Sequence, residues 1–348
     1  MKKEGSAVVA DYYHYNCLSE KNQKLYKAIY DGVIMHQSEI SAPLNQYFHD
    51  DLIQVIDALT EDNPLLFYLD TRQMAMAQSE KGLCMIPEYY FDMDTCRVFL
   101  DKVKQYVSSI LHQAKAEGCS DYQKVKRIYD LLISKTSYDH EALPTLNTDP
   151  AVSSYAATIL GILFRKKAVC EGISKTFKLL LNTVDVKCIC VSGTADIHGS
   201  GEMHPHEWNI VKLGDESYHF DLTWAMECSM DGRINYDYFG LNDKQIRRDH
   251  FDFKNVPVCK GRKYNYFERN HMVVRNRFEF EHYLKKKAKK LPADIYVRMD
   301  FKCDINTIAL EAKDLVMNEA ANDQYQVSVS TTLRPDQQIL RIIAKPVY

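Results

Sequence analysis

The sequence predicts an α+β protein in which a cysteine-bearing helix leads into antiparallel strands, with mixed helix and strand regions on either side. Three observations predict this. Ile173, Phe177, Leu180, Leu181 and Val184 form an apolar stripe of helical period just after Cys170. HPHEWNIVKLGDESYHFDLTW (204–224) reads as two strands joined by a tight Gly214-Asp215 turn. Near the C-terminus Tyr325, Val327 and Val329 alternate with polar residues, and PDQ (335–337) turns the chain into QILRIIA, as in a half-solvated sheet.

At 348 residues the chain has room for two or three domains. Residues 1–117 read as an N-terminal α/β domain, 118–265 as a central core and 266–348 as a small C-terminal α+β domain. In the first, SEKNQKLYKAIYDGVIM is a helix capped by Ser19, 47–60 is a second helix, and LLFYLD and MIPEYYF are strands. A long helix starts at Asp94 and ends at Gly118. The core opens on a capping box, SDYQ at 120–123. SSYAATILGILF and 170–184 are helices, followed by strands at 186–193, 206–213 and 217–224. The last region holds a helix over 278–290, the strand ADIYVRMD, a helix from Asp304 and the hairpin.

The net charge of −3 and the lack of low-complexity tracts describe an ordinary globular protein. No apolar run approaches the roughly 20 residues that span a bilayer. MKKEGSAVVADYYHY has no apolar stretch after its lysines, so it does not read as a signal peptide. The ten cysteines are scattered without a CxxC pair, which points to free thiols in a reducing compartment. A cytoplasmic protein is expected, or a secreted one if a leader was removed. Cys188 and Cys190 share a strand face with Val186, and no second close pair completes a zinc set. LKKKAKK (284–290) reads as the solvated end of a helix facing its own dipole rather than a nucleic-acid surface.

Cys170 is the residue with chemical promise. It lies three residues before Ile173, at the start of the helix and on its buried side. There the macrodipole and free N–H groups favour thiolate, and Gly172 would leave room for a substrate backbone. The competing reading is a small buried hydrophobe, the usual fate of a free cysteine. A candidate base comes from the hairpin. A two-residue Gly-Asp loop pairs Leu213 with Glu216 and puts Asp221 across from Trp208. His206 is then the diagonal neighbour of Asp221, about 7–8 Å away between Cβ atoms. His204 and His219 share that face and compete for the role.

The ordered set AVCEG, HEWN, YHFDLTW and YFGLND resembles the transglutaminase-like superfamily, particularly its bacterial, protease-like members among the papain-like cysteine enzymes. The resemblance covers roughly residues 120–250. It implies a papain-like core at 118–265, a Cys helix packed on an antiparallel sheet. It also implies Cys170 as nucleophile, His206 as general base and acid, and Asp221 as the orienting carboxylate. The Cys170 backbone N–H, helped by Tyr155, would hold the oxyanion. Trp208 and Trp224 would either pack in the core or wall the substrate cleft. The chain departs from the family pattern at Glu207, expected to point off the catalytic face, and at Ile173.

The implied chemistry is acyl transfer through a thioester, with a protein, a peptide or a peptide-like wall fragment as substrate. It requires neither a metal nor a cofactor. Hydrolysis, by a peptidase or amidohydrolase, is favoured over a crosslinking transglutaminase. A noncatalytic binding protein on the same fold is the reading of a different class.

Overall fold

The structure of the protein is a computed structural model and describes residues 12–43, 47, 49–79, 82–196, 201–229, 232–321 and 326–347. The segment 1–11, read above for a leader, and Tyr325 lie outside the described residues.

The first part contains α1 (Tyr13–Cys17), α2 (Glu20–Ile34), β1 (Ile40–Pro43), α3 (His49–Asp62), β2 (Leu69–Ser79), β3 (Gly82–Tyr89) and α4 (Met93–Ala114). Ser19 caps α2 by accepting from Asn22 N, while α4 is capped by Asp92, two residues before the expected start. LLFYLD is strand only from Leu69, because Asn63 and Pro64 begin a turn that occupies its first half. β1, β3 and β2 form a three-stranded antiparallel sheet.

The centre begins with α5 (Asp121–Lys135), whose Ser120–Gln123 capping box is present. It continues with β4 (Ser137–Tyr138), α6 (Pro150–Ala156), β5 (Lys167–Ala168) and α7 (Cys170–Thr183). SSYAATILGILF was expected to be one helix. It is instead the end of α6 and a separate π-turn at Gly161–Arg165, a break that lets the chain double back on α7. Then come β6 (Cys188–Asp196), β7 (Met203–Leu213), β8 (Glu216–Phe220), α8 (Leu222–Cys228), β9 (Phe239–Leu241), α9 (Asp243–Ile246) and β10 (His250–Phe251). The strands form an antiparallel sheet in the order β10-β6-β7-β8-β9, and α7 packs on it.

The expected strand over 217–224 ends at Phe220. Asp221 is extended but caps α8, its Oδ1 accepting from Trp224 N at 3.1 Å, so Leu222, Thr223 and Trp224 are helical. Pro205 sits within β7 rather than interrupting it. β8 pairs only with residues 209–213, so the early part of β7 needs no N–H on that side.

The last part holds α10 (Tyr266–Arg269), β11 (Val273–Val274), α11 (Arg277–Ala288), β12 (Ala293–Met299), α12 (Ile305–Ala320), β13 (Gln326–Arg334) and β14 (Ile339–Val347). The last turn of α11 carries exposed Lys285, Lys286 and Lys287, as expected for a solvated end. Its sheet runs β11-β12-β14-β13. Buried residues from Val274 to Ala344 form a core of their own. A larger core draws on residues between Leu18 and Phe239, including Leu25, Val55, Val125 and Phe177, so helices of the first part pack into the same interior as α7. Helices with mainly antiparallel sheets make this the α+β fold that the sequence predicts. No helix among the described residues is long and apolar enough to cross a membrane.

Candidate active site

Cys170 opens α7, directly after the short strand β5. β5 pairs in parallel with β4, Tyr138 against Ala168, and Val169 N donates to Ala156 O at 2.9 Å. The start of the helix is thus held from two sides. Gly172 serves this packing rather than substrate access. A Cβ there would lie 2.7 Å from the carbonyl oxygens of both Ala156 and Thr158. Cys170 remains partly exposed, in contrast to buried Cys188 and Cys190, which face inward from β6.

The hairpin has the anticipated register. Gly214 takes a φ of 63°, Leu213 pairs with Glu216 and Asn209 with Phe220, so Asp221 follows on opposite Trp208. His206 Nε2 reaches Asp221 Oδ2 at 2.8 Å. That leaves Nδ1 as the ring nitrogen not taken up by Asp221, and Cys170 acts on the same imidazole. Burial alone would push the His206 imidazole down. The Asp221 carboxylate overrides this and, with Cys170, raises it to about 9. Burial would raise Asp221, but His206 and His250 hold it well below the usual carboxylate range. His206, Asp221 and Cys170 are therefore brought together.

The competing histidines are elsewhere. His204 is exposed beside Glu202. His219 is buried, accepts from Trp208 Nε1 at Nδ1 (3.1 Å) and contacts Asp243 through Nε2 (2.9 Å). Trp208 is fully buried, its ring nearly parallel to His206. Trp224 is 7% exposed and lines a cavity of about 240 Å³ with Glu227, Tyr238 and Arg334. Trp208 is thus core and Trp224 borders open space.

Tyr155 is not brought to the thiol by any of its described contacts. Its ring packs against Phe91 and Phe164, with the Arg165 guanidinium 4.2 Å above it. The tyrosine that feels Cys170 is Tyr138, whose hydroxyl is raised by burial, then by the charges of Cys170 and Glu227. Glu207 points away from the site, as expected, into a buried group with Lys175, Glu171 and Glu61. Glu171, next to Cys170, pairs with Arg72 of β2 at 2.7 Å and with Lys175 at 2.6 Å.

Among the described residues two clusters offer three metal-ligand atoms each, His206/Asp221/His250 and His219/Asp243/Cys259. In the first, 2.8 Å between His206 and Asp221 is a hydrogen-bond separation. Ligands on a tetrahedral zinc sit roughly 3.3 Å apart at the 2.0–2.1 Å bond lengths usual for nitrogen and oxygen. In the second, the bond from Trp208 to His219 Nδ1 puts the ring proton on Nε2, the atom that would have to bind the ion. Both clusters are built as hydrogen-bond networks.

Residues 108–222 match the family model of the transglutaminase-like superfamily, a span that contains Cys170, His206 and Asp221. A search of curated proteins found no match. A solved structure described as the crystal structure of a TGase is similar at 18% identity, over 53% of this chain and 50% of that one, with a TM-score of 0.30. The chain thus spans half the length of that structure. The segment that carries all three side chains is therefore similar to the transglutaminase-like superfamily.

His250, Asp249 and Tyr138 escaped the sequence reading. His250 follows the YFGLND motif in RRDHFDF, and a buried histidine shortly after that segment was the available signal. Tyr138 has none, as one of 23 tyrosines.

Proposed function

We propose that the protein is a cysteine-dependent acyl-transfer enzyme that uses Cys170, His206 and Asp221, and that it hydrolyses amide bonds in a protein or peptide. The observation that carries this is the orientation of His206. Nε2 is committed to Asp221 at 2.8 Å, leaving Nδ1 for the thiol at the start of α7. A nucleophile, a base and a group that orients the base are the arrangement that acyl transfer needs.

Proton transfer from Cys170 to His206 Nδ1 gives a thiolate and an imidazolium, which Asp221 stabilises. The thiolate attacks the amide carbonyl, and the oxyanion meets the free N–H at the start of α7. His206 returns its proton to the leaving amine as the C–N bond breaks, giving a thioester. His206 then takes a proton from water, which attacks the thioester and releases acid and thiol. An amine in place of that water would make the same site a transferase. Hydrolysis is preferred on the resemblance to protease-like members.

The boundaries at 117 and 265 are part of the proposal. The C-terminal region keeps its own core, and the N-terminal one supports the Cys170 helix through the shared core and Arg72.

Brief labelling with limiting iodoacetamide, mapped by mass spectrometry, tests the thiol. Cys170 is expected to react first of the ten cysteines, and His206→Ala to abolish that preference. Equal labelling overturns the proposal and leaves a noncatalytic binding protein. Peptide-cleavage and amine-incorporation assays run together separate hydrolase from crosslinker.

A further inference from the structure

Asp221 serves two imidazoles. The oxygen that meets His206, Oδ2, is also 3.1 Å from His250 Nε2, and His250 Nδ1 lies 2.7 Å from Asp249 Oδ1. Neutral imidazole has one N–H, so a ring with a carboxylate at each nitrogen is an imidazolium. His250, Asp249 and Asp221 are 0%, 1% and 0% exposed, so no solvent competes for these bonds. Asp249 Oδ2 in turn accepts from Tyr238 OH at 2.8 Å and Gln337 Nε2 at 2.7 Å. Gln337 belongs to the turn between β13 and β14. Its side-chain amide also donates to Gln245 O, and its backbone carbonyl accepts from Arg248 Nη1.

We infer that His250 is a positioning residue for the Cys170–His206–Asp221 site. As a buried cation between Asp221 and Asp249 it fixes the Asp221 carboxylate and tempers that carboxylate's hold on the His206 proton, and Gln337 of the C-terminal turn completes its seat. This rests on Cys170 and His206 being the reacting pair.

Two cations compete for one oxygen, their ring centres 5.4 Å apart. Charge therefore alternates along the chain His206, Asp221, His250, Asp249. The other titratable groups facing His250 are His219 on β8 and Tyr238 before β9. Arg248 and Asp336 act at one remove, through Asp249. Burial lowers His250, but Asp221 and Asp249 together leave it raised above its ordinary value, in keeping with the geometry. Without the His250 charge, Asp221 belongs to His206 alone and holds its proton to higher pH. The carboxylate also loses an anchor, so turnover falls while substrate binding does not.

The test follows the rate of Cys170 alkylation by iodoacetamide from pH 5 to 10 in the full chain. His250→Gln should move the alkaline limb up by about one pH unit. Asp249→Asn, which keeps the shape but weakens the hold on the His250 proton, should move it the same way by less. On a peptide substrate His250→Gln should lose about tenfold in kcat with KM unchanged. A selective Cys170 whose alkaline limb is unmoved in both variants overturns the role of His250 and leaves the nucleophile standing. An unselective Cys170 in the unaltered protein overturns the nucleophile, and this role with it. Should His250→Gln not fold, the ¹⁵N spectrum of labelled histidines in the unaltered protein decides. An imidazolium signal for His250 at pH 7.5, displaced in Asp249→Asn, is expected, and a neutral ring overturns the inference.

Discussion

His206 Nε2 and Asp221 Oδ2 lie 2.8 Å apart, in side chains only 8% and 0% exposed. The pair is out of water, so its geometry and charge act with little screening. Asp221→Asn keeps the shape and removes the charge. Activity should fall by about 10³–10⁴-fold, the scale of such a change in a hydrogen-bonded catalytic set. The alkaline limb of Cys170 reactivity should drop from about 9 towards the ordinary histidine value of 6.5 or below. An unchanged limb in the alkylation profile would show that Asp221 does not hold the His206 proton.

The same pair sets a pH dependence of stability. His206 is raised from 6.5 to about 9 in the fold. A group raised on folding contributes stability fully below its unfolded value and loses it as pH rises through the folded one. The excess stability of the unaltered protein over His206→Gln should therefore be largest below pH 6.5 and close by about pH 9. Asp221, lowered on folding, acts in the opposite sense. Its contribution is present above 3.8 and is lost as pH falls further. Urea midpoints measured across pH for both proteins check this.

Cys170→Ala should separate chemistry from folding. The side chain is partly exposed and begins the helix rather than filling the core. Stability should change by about 0.5 kcal/mol or less. Activity should fall by at least about 10³-fold, as expected when a nucleophile is removed. Residual activity near that of the unaltered protein would exclude the thioester route.

Gly172→Ala is expected to be costly for its size. The new methyl group would meet two carbonyl oxygens at 2.7 Å, belonging to the backbone of α6 and the segment after it. Relief requires α7 to shift, at about 1–3 kcal/mol. Because Cys170 stands two residues earlier, activity should fall as well. A variant with full activity and an unchanged urea midpoint would show that the helix start tolerates movement.

Tyr138 and Tyr155 can be told apart by removing one oxygen from each. Tyr138 is electrostatically coupled to Cys170, whereas Tyr155 lies against Arg165. Tyr138→Phe should lower kcat by about 10–10²-fold, below the 10²–10³ of a full oxyanion donor, with KM preserved. A larger loss in Tyr155→Phe would return the oxyanion role to Tyr155.

Much of the site was legible because its signals are local. The Gly214-Asp215 turn sets a two-residue loop, the loop sets the register, and the register carries His206 to Asp221. The helix stripe gave the side of α7 on which Cys170 lies. Tyr155 was chosen by its distance along the chain, which says nothing of the π-turn that redirects the residues after it. Asp221 was read as a strand residue because its role as a cap depends on Leu222, Thr223 and Trp224 leaving the sheet.

By itself the sequence determined the α+β class, the helix caps at Ser19 and Ser120, the tight hairpin and the place of Cys170 at a helix start. Each follows from residue period, turn chemistry or capping, which act over a few neighbouring residues. Only the tertiary structure decided that Tyr138 lies near the thiol, that Gly172 is a packing glycine, and that Asp221 is shared by His206 and His250. It also decided that Gln337, from the C-terminal hairpin, closes that network. These groups meet through a parallel strand pair, an edge strand and packing between distant segments. Such contacts leave no period or spacing in the chain to read.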